Sequence, residues 1–342
     1  MQANIERMAE FFREGDVKLR PHFKAHKTLE IARRQLAAGS CAGLTCATVA
    51  EAEAVAGICD DILIANEVIG ADKTARVAAI AARGVDIKIA VDSREGLALA
   101  GEAAVSAGAE VGVLVDVNVG MPRCGVPPDA AAEMAARAAE TPGVRLRGLM
   151  GYEGHAVGIP DRDKREHVTR AAMDGLLSAV SSVREAGLPC EIVSAGGTGS
   201  YDITGRIEGI TEIQPGSYAL MDTSYARLES PFRQAIWVLG TVISRPLPGL
   251  CVTDSGHKAC TEDHGNPDVD GVAGASILFL SDEHASITLP PQSALAVGDR
   301  IRLSPSHIDP TINLHDVIYV VEGDRVTDVW PVAARGYAEQ RR

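Results

Sequence analysis

Near the start of the chain lies the stretch Val17-Lys18-Leu19-Arg20-Pro21-His22-Phe23-Lys24-Ala25-His26-Lys27, which begins as an apolar β-strand and ends in a cluster of lysines and histidines. In proteins of alternating strands and helices, the carboxyl end of a strand is rigid and opens onto a loop, where reactive groups collect. An amine there, with its pKa lowered by burial or by neighbouring cations, can form a Schiff base with an aldehyde. The other interpretation is a basic surface loop, and this stretch alone does not decide between the two.

Apolar runs with strand character alternate with alanine-rich segments of helical spacing in the first two thirds of the chain. The strand candidates are residues 17–23, 43–48, 61–67, 87–92, 111–118, 145–152, 190–197 and 212–218. The helix candidates are residues 4–14, 28–38, 49–56, 73–83, 94–107, 128–140, 163–186 and 203–209. Eight strands alternating with helices predict an α/β fold, a parallel (β/α)8 TIM-like barrel. A doubly wound open sheet is the alternative, but it typically has fewer strands.

The sequence changes character after about residue 222. Strand candidates at residues 236–244, 285–289, 300–303, 317–321 and 326–330 follow one another with turn signals between them, and no convincing helix lies among them. We therefore predict two domains, a barrel over residues 1–225 and a mainly-β domain over residues 226–342.

Composition argues against several classes of protein. The formal net charge of −13 argues against nucleic acid or an anionic membrane as a main partner. No apolar run approaches the roughly 18 residues that a membrane span needs, and the polar N-terminal residues do not resemble a signal peptide. The seven cysteines form no C-x-x-C pair, which favours reduced thiols and a cytoplasmic location.

A glycine-rich loop, Ser194-Ala195-Gly196-Gly197-Thr198-Gly199-Ser200, follows the seventh strand candidate. Consecutive glycines let backbone N–H groups converge on an anion, and hydroxyls can add to them. Many such loops are only tight turns, but phosphate sites recur after the seventh strand of barrels. The position therefore predicts a phosphate site at Gly196, Gly197 and Thr198.

Two other strand ends carry polar side chains. Arg123, between glycines after the fifth strand, can reach a ligand oxygen or can be a surface arginine. Tyr152, at the end of the sixth strand, can lie against a flat cofactor. His155 can act as a base, although a hydrogen-bonded loop histidine is the more common interpretation of such a residue.

A possible metal pair occurs in the predicted second domain. His307 and Asp309 are two residues apart, so on an extended segment their side chains point the same way. One imidazole and one carboxylate, with other positions open, suit Mn²⁺ or Mg²⁺ better than structural Zn²⁺. An H-x-D pattern is common by chance, as are the polar clusters at residues 254–258 and 282–284, which turn chemistry also explains.

Taken together, these motifs resemble the D-threonine aldolase / D-serine dehydratase family of fold-type III pyridoxal phosphate (PLP) enzymes, distant relatives of alanine racemase. Residues 19–27 are similar to its signature R-P-H-x-K-T-H-K. The similarity covers nearly the whole chain, including residues 62–67, 120–125, 196–198, 214–218, 221–222 and 307–311. The signature combined with the late H-x-D is specific, and the whole chain most resembles 3-hydroxy-D-aspartate aldolases. An alanine-racemase-type barrel followed by a β-domain is the fold that this resemblance implies.

The resemblance implies roles for residues around the cofactor. Lys24 would be the Schiff-base residue, with His22 and His26 as its electrostatic surroundings, whereas Lys27 would be a bystander. The remaining cofactor contacts that it implies are Gly196, Gly197 and Thr198 at the phosphate, Arg123 near the phenolic oxygen, Tyr152 near the ring, and Gln214, where alanine racemases have an arginine facing the pyridine nitrogen.

His307 and Asp309 would bind the metal. In D-serine dehydratases the second metal residue is usually cysteine with Zn²⁺, so Asp309 favours the aldolase branch and Mn²⁺ or Mg²⁺.

Two departures from the family pattern stand out. Ala25 replaces the usual threonine of the signature, and the sequence begins within the first helix rather than with the preceding strand, which predicts an open edge in the β-domain.

The implied reaction is retro-aldol cleavage of a β-hydroxy-D-amino acid. The products are glycine and glyoxylate from 3-hydroxyaspartate, or glycine and acetaldehyde from D-threonine. The base would be His155 or a metal-bound hydroxide, and relatives are commonly homodimers. The nearest alternative is a D-serine or 3-hydroxyaspartate dehydratase. A racemase, a non-catalytic PLP carrier and a purely structural barrel are less favoured, because they leave Gln214, the second domain or the polar strand ends unexplained.

Overall fold

A computed structural model describes residues 1–336, and within them eight parallel strands form a closed barrel. Neighbouring strands follow the order β1-β8-β7-β6-β5-β4-β3-β2. Parallel bridges from Leu19 to Cys41 and from His22 to Thr45 close the barrel between β1 and β2. The strands are β1 Lys18–Leu19, β2 Leu44–Cys46, β3 Asp61–Glu67, β4 Asp86–Val91, β5 Val111–Asp116, β6 Val144–Met150, β7 Ile192–Ala195 and β8 Glu212–Ile213. The predicted TIM-like barrel is confirmed.

Helices cover the outside of the barrel, so its strands are buried on both faces. All six residues of β5 are buried, as expected for a parallel strand between a packed interior and a helical layer. The helices are α1 Gln2–Phe11, α2 Leu29–Ala37, α3 Val49–Val55, α4 Ala71–Ala81, α5 Arg94–Ser106, α6 Ala131–Glu140, α7 Arg162–Glu185, α8 Tyr201–Thr204 and α9 Thr223–Ala226.

Arg20, the first residue of the sequence signature, lies inside the barrel and joins three strands. Its guanidinium lies 2.8 Å from Oε1 of Glu212 on β8 and 2.5 Å from Oδ1 of Asp61 on β3. Its side chain is only 1% exposed. A buried cation remains stable only when its partners satisfy it, so this part of the signature stabilises the barrel.

The rest of the described chain is mainly β-structure, as predicted. An antiparallel six-stranded sheet has the order β11-β14-β9-β10-β13-β12, and β15 and β16 form a separate hairpin. The strands are β9 Val238–Leu247, β10 Leu250–Thr253, β11 Asp268–Asp270, β12 Ser276–Leu280, β13 Ala285–Thr288, β14 Arg300–Ser304, β15 Val317–Glu322 and β16 Arg325–Pro331. The domain limits at residues 225 and 226 stay a prediction, and residues 337–342 lie outside the described residues.

A short helix, α10 (Ile308–Ile312), interrupts this β-structure, although the sequence predicted none. Its β-branched residues favour strands, which hides the helix in the sequence. Pro310 is compatible with it because a helix tolerates proline in its first turn. Ile308 and Ile312 are buried in the same apolar cluster as the barrel.

Hydrogen bonds hold the segment before α10 against the end of the barrel. The Thr223 amide donates to the Pro305 carbonyl at 3.0 Å, and the Ser224 hydroxyl donates to the Ser306 carbonyl at 2.7 Å. Buried Asp222 caps α9 and also accepts a hydrogen bond from the amide of Ile308 at 3.4 Å. These contacts fix the residues that follow Ser306 relative to the barrel.

Lys27 connects the barrel to residues 333 and 334. Its Nζ lies 2.8 Å from Oε1 of buried Glu51 and 3.0 Å from the carbonyl oxygen of Ala334. Its own carbonyl accepts a hydrogen bond from the amide of Ala333 at 2.6 Å. The last lysine of the signature therefore stabilises the packing of the chain.

Lys27→Met is expected to lower the free energy of unfolding by about 3–5 kcal/mol, because it leaves Glu51 as an uncompensated buried charge. Urea denaturation followed by circular dichroism measures this difference. The double variant Lys27→Met/Glu51→Leu should recover part of the loss, since it removes both charges. A loss below about 1 kcal/mol in the single variant would show that the pair is not important for stability.

None of the described helices has both the length and the apolar character needed to cross a membrane. All seven cysteines are free thiols.

Candidate active site

Lys24 lies in a 3-10 turn, Phe23–Ala25, in the loop that follows β1. Its side chain remains 43% exposed, and its Nζ lies 3.4 Å from Oδ1 of Asp309. Asp309 is the second residue of α10, so this contact joins the end of the first barrel strand to the helix from the β-rich part. The structure therefore brings the predicted covalent anchor and one predicted metal ligand together.

The pKa of Lys24 lies above its ordinary value. Desolvation is the largest single influence and acts to lower this pKa, but the charge and hydrogen bond of Asp309 together with the charges of Tyr152 and Glu51 outweigh it. The expectation of a lowered pKa is therefore wrong for this chain, because the sequence does not reveal that Asp309 faces the amine. The Lys24 amine is protonated and paired.

The two histidines of the signature are neutral. Burial, followed by the charge of Lys24, holds the pKa of His22 well below its usual value. Burial also lowers the pKa of His26 to about 4, and its Nε2 lies 3.0 Å from Oε1 of Gln35. Neutral imidazoles add no positive charge beside Lys24, and the role of the two histidines as its electrostatic surroundings stays a prediction. Within residues 1–336, the buried Nδ1 of His22 has no hydrogen-bond partner.

The glycine-rich loop forms a buried turn after β7. Gly196 has a φ of +74°, which favours glycine, and a Cβ at Gly199 would lie 1.9 Å from the carbonyl oxygen of Val157. The Gly197 amide donates to Oγ of Ser200 at 3.1 Å, and Oγ1 of Thr198 accepts from the Tyr218 amide at 3.1 Å. The loop is therefore a rigid, closely packed turn at the carboxyl end of the barrel.

Glu153, which the sequence analysis did not single out, organises this loop. Its buried carboxylate accepts hydrogen bonds from the Gly196 amide at 3.0 Å, the Ser200 hydroxyl at 2.7 Å and the Thr204 hydroxyl at 2.5 Å. Three donors satisfy one buried charge, which a low-dielectric site requires. An acidic residue at the end of the apolar strand β6 was the available signal for such a role.

Tyr152 lies between Arg123 and the glycine-rich loop. The Arg123 guanidinium carbon lies 5.6 Å from the centre of the tyrosine ring, and the ring also lies beside Gly197. Desolvation raises the pKa of Tyr152, while the charge of Lys24 opposes the shift, so these groups share one site. The structure therefore places Arg123, Tyr152, Gly197 and Lys24 around one mouth of the barrel.

Gln214 and His155 occupy different positions at the same end of the barrel. Gln214 follows β8, and its Nε2 donates to the hydroxyl of Ser194 on β7 at 2.8 Å. His155 is exposed in the loop after β6, with its ring beside Gly120. The amide is held in place, whereas the imidazole faces solvent.

The residues at this mouth fit PLP. A lysine amine can attach the aldehyde, a rigid glycine-rich turn without bulky side chains can border a phosphate, and the unpartnered Nδ1 of His22 offers a further polar contact. Arg123 adds a cation for an anionic oxygen. The donor set matches an anionic, aldehyde-bearing ring cofactor.

His307 lies between two carboxylates. Its Nε2 is 3.8 Å from Oδ2 of Asp309, and its Nδ1 is 2.6 Å from Oδ2 of Asp263. The predicted pair is therefore close, although not on an extended segment, because α10 begins at Ile308. Among the described residues, ligand atoms of Asp263, His264 and His307 all lie within 4.8 Å of one another.

Asp263 and His264 were missed in the sequence, since Asp263 lies 44 positions from His307 and no local spacing signals the contact. The polar clusters that the sequence did show lie elsewhere. His257 lies 3.7 Å from Glu262, and Lys258 pairs with Glu283. Both are exposed surface contacts.

Comparison with known proteins agrees with this architecture. The family model "Alanine racemase, N-terminal domain" matches residues 1–224, and the model "Putative serine dehydratase domain" matches residues 235–321. A barrel of this type with a lysine after its first strand defines a fold-type III enzyme, and membership of that class implies PLP as cofactor.

Individual relatives narrow the class. A D-threonine aldolase from Arthrobacter sp is 40% identical over 344 residues, covering 98% of this chain and 90% of that protein. A 3-hydroxy-D-aspartate aldolase from Paracoccus denitrificans (strain Pd 1222) is 34% identical over 347 residues, covering 98% and 89%. The crystal structure of D-threonine aldolase from Filomicrobium marinum superposes with a TM-score of 0.94 at 38% identity, covering 98% and 92%.

The chain belongs to the D-threonine aldolase / 3-hydroxy-D-aspartate aldolase family. The prediction of a carbon–carbon lyase of the aldolase class is confirmed by these relatives. The sequence predicted that the chain most resembles 3-hydroxy-D-aspartate aldolases. That prediction is wrong for the two curated relatives named above, because the chain shares a higher sequence identity with the D-threonine aldolase.

Proposed function

We propose that this chain cleaves β-hydroxy-D-amino acids to glycine and an aldehyde, with PLP and a divalent cation. The observation that carries the proposal is the line of side chains from Lys24 through Asp309 to His307, with separations of 3.4 and 3.8 Å. It places the candidate cofactor anchor beside the candidate cation ligands. A retro-aldol site needs both, because the substrate carries its amine and its hydroxyl on adjacent carbons.

The barrel residues would hold the cofactor. Lys24 would attach it, the loop residues Gly196, Gly197 and Thr198 would border its phosphate, and Arg123 would face its phenolic oxygen. Tyr152 would lie near the ring and Gln214 near the pyridine nitrogen. When bound, PLP supplies the electron sink for the breaking Cα–Cβ bond. A glutamine is neutral, so the ring nitrogen would meet no cation there.

His307 and Asp309 would bind the cation. Mn²⁺ or Mg²⁺ suits this imidazole and carboxylate better than Zn²⁺. A divalent cation at these ligands would lower the pKa of the substrate hydroxyl. Asp309 would then contact the cation instead of serving only as the partner of Lys24.

The chain's own residues would handle the protons. His155 is the proposed base that accepts the β-hydroxyl proton. The Cβ–O bond becomes a carbonyl as Cα–Cβ breaks, and Cα takes up one proton to give glycine. D-threonine would yield acetaldehyde and 3-hydroxyaspartate would yield glyoxylate, and the proposal includes both substrates.

The second candidate is a dehydratase that releases ammonia and an oxo-acid. The match of residues 235–321 to a putative serine dehydratase domain favours it. Purified protein with PLP and Mn²⁺ should be incubated separately with D-threonine, D-serine and the isomers of 3-hydroxyaspartate. Formation of glycine and an aldehyde would support the aldolase. Release of ammonia would instead support the dehydratase, and inversion of the substrate would indicate a racemase. L-threonine serves as the stereochemical control.

Removal of divalent metal by EDTA is expected to stop glycine formation, because the hydroxyl loses the charge that lowers its pKa. Mn²⁺ or Mg²⁺ added in excess should restore activity better than Zn²⁺. The visible spectrum of bound PLP serves as the control and should persist after chelation. Full turnover after rigorous chelation would remove the metal from the proposal.

We also infer a cytoplasmic homodimer that acts on a small molecule. The free thiols support the compartment, and the acidic net charge supports the absence of a nucleic-acid partner. Sedimentation of the purified protein measures the oligomeric state.

A further inference from the structure

The imidazole of His307 has two distinct nitrogen environments. Nδ1 lies 2.6 Å from Oδ2 of Asp263, which is hydrogen-bond distance. Nε2 lies 3.8 Å from Oδ2 of Asp309, which is too long for a hydrogen bond. A carboxylate only accepts, so the short contact places a proton on Nδ1. In the neutral ring, Nε2 then carries the lone pair and faces Asp309.

Two acceptors that face each other attract a cation. The Nε2 lone pair and the Asp309 carboxylate are both acceptors. The geometry therefore separates the two carboxylates by role: Asp309 faces the cation position, and Asp263 holds the far side of the ring. A histidine ligand whose other nitrogen donates to a carboxylate has a fixed tautomer, a fixed ring orientation and greater basicity.

Two further contacts join the loop that carries Asp263 to His307 and to α10. The ring of His264 stacks on the ring of His307 with centroids 4.0 Å apart and planes inclined by 2°. The Thr261 hydroxyl lies 3.1 Å from the hydroxyl of Thr311 on α10, and the Thr261 amide donates to the same atom at 3.3 Å. The loop that carries Asp263 is therefore bound to the helix that follows His307. The ring is confined on one edge and one face.

We propose that Asp263 is a positioning residue that fixes the tautomer and orientation of His307 for a divalent cation, with His264 packed against the ring. This inference rests on the proposed function, since it assumes that His307 binds a cation. It assigns the site a residue from the loop between β10 and β11. Asp263 acts through His307 and does not contact the substrate.

The test is the affinity for Mn²⁺, measured by electron paramagnetic resonance of the free ion, which requires no turnover. Asp263→Ala is expected to bind Mn²⁺ about 10- to 100-fold more weakly, the usual effect of removing such a carboxylate. Asp263→Asn should lose less than Asp263→Ala, because its amide oxygen still accepts from Nδ1–H. Glu262→Ala, an exposed neighbour in the same loop, is the matched control for loss of one negative charge.

Several results would overturn the inference. Unchanged affinity in Asp263→Ala would do so, as would an equal loss in Glu262→Ala, which would indicate only long-range charge. A loss in Asp263→Ala as large as that in His307→Ala would make Asp263 a ligand itself. By contrast, if the unaltered protein binds no Mn²⁺ and His307→Ala changes nothing, the metal role in the proposed function fails instead.

His264 provides an independent comparison. His264→Phe keeps a flat ring against His307 and removes both nitrogens, so its Mn²⁺ affinity should stay within about threefold of the original if packing is the role. His264→Ala removes the packing and should weaken binding more than His264→Phe. If His264→Phe instead matches His307→Ala, His264 is a ligand and the assigned packing role is wrong.

Discussion

Lys24→Ala is expected to abolish both the visible absorbance of lysine-bound PLP and the cleavage of β-hydroxy amino acids. The amine is the only group of this turn that can attach the cofactor aldehyde, since Lys27 is buried against Glu51. Removal of a covalent nucleophile commonly lowers kcat by about 10³-fold or more. Absorption spectroscopy with added PLP and a glycine assay measure the two effects.

Lys18→Ala is the matched control for Lys24→Ala. Lys18 is exposed on β1, the strand that precedes the turn carrying Lys24, and its Nζ donates to the carbonyl of Gly15 at 3.1 Å. This variant should keep both the absorbance and the activity. An unchanged spectrum in Lys24→Ala would contradict the assignment of the anchor, whereas loss of the signal in Lys18→Ala would point to a general effect on the fold.

Glu153→Ala is expected to weaken PLP binding by about tenfold or more and to lower the free energy of unfolding by about 3 kcal/mol. The change leaves the Gly196 amide and the hydroxyls of Ser200 and Thr204 without their buried acceptor, at about 1–3 kcal/mol for each group left unpaired. The loop then loses the hydrogen bonds that hold Gly196 and Ser200 in the turn proposed to border the phosphate. Fluorescence titration with PLP and urea denaturation measure the two quantities.

Thr204→Val controls for the loss of a single donor to Glu153. This variant keeps the carboxylate and its other two hydrogen bonds. Its effect on the PLP affinity and on the free energy of unfolding should therefore be clearly smaller than that of Glu153→Ala. Equal PLP affinity in Glu153→Ala and the original protein would show that the loop holds its shape without this carboxylate.

The barrel follows from the sequence because its signal is local. Each strand and helix is a short periodic segment, and eight repeats of the pattern permit few alternatives. The short helix α10 breaks this rule, since Ile308, Thr311 and Ile312 favour a strand locally while burial against the barrel favours the helix. Tertiary packing overrides local preference there.

The candidate site can be predicted from the sequence only in part, because its important contacts join residues that are far apart in the chain. Lys24 and His307 belong to recognisable motifs, but neither motif shows that Asp309 faces Lys24 or that Asp263 faces His307. For this reason the sequence predicted the wrong direction for the pKa of Lys24. Glu153 was overlooked for the same reason, since its partners Ser200 and Thr204 lie 47 and 51 positions away.

The bonds of Lys27 to Ala333 and Ala334 bear on protein synthesis. The two partners of the bond from Lys27 to Ala334 are 307 positions apart, so the ribosome makes almost the whole chain before this bond can form. N-terminal segments generally fold first during synthesis, and the early strands can therefore assemble while Lys27, three positions after Lys24, still lacks two of its hydrogen bonds. The segment that follows the proposed catalytic amine gains all its hydrogen bonds only when residues 333 and 334 have been synthesised.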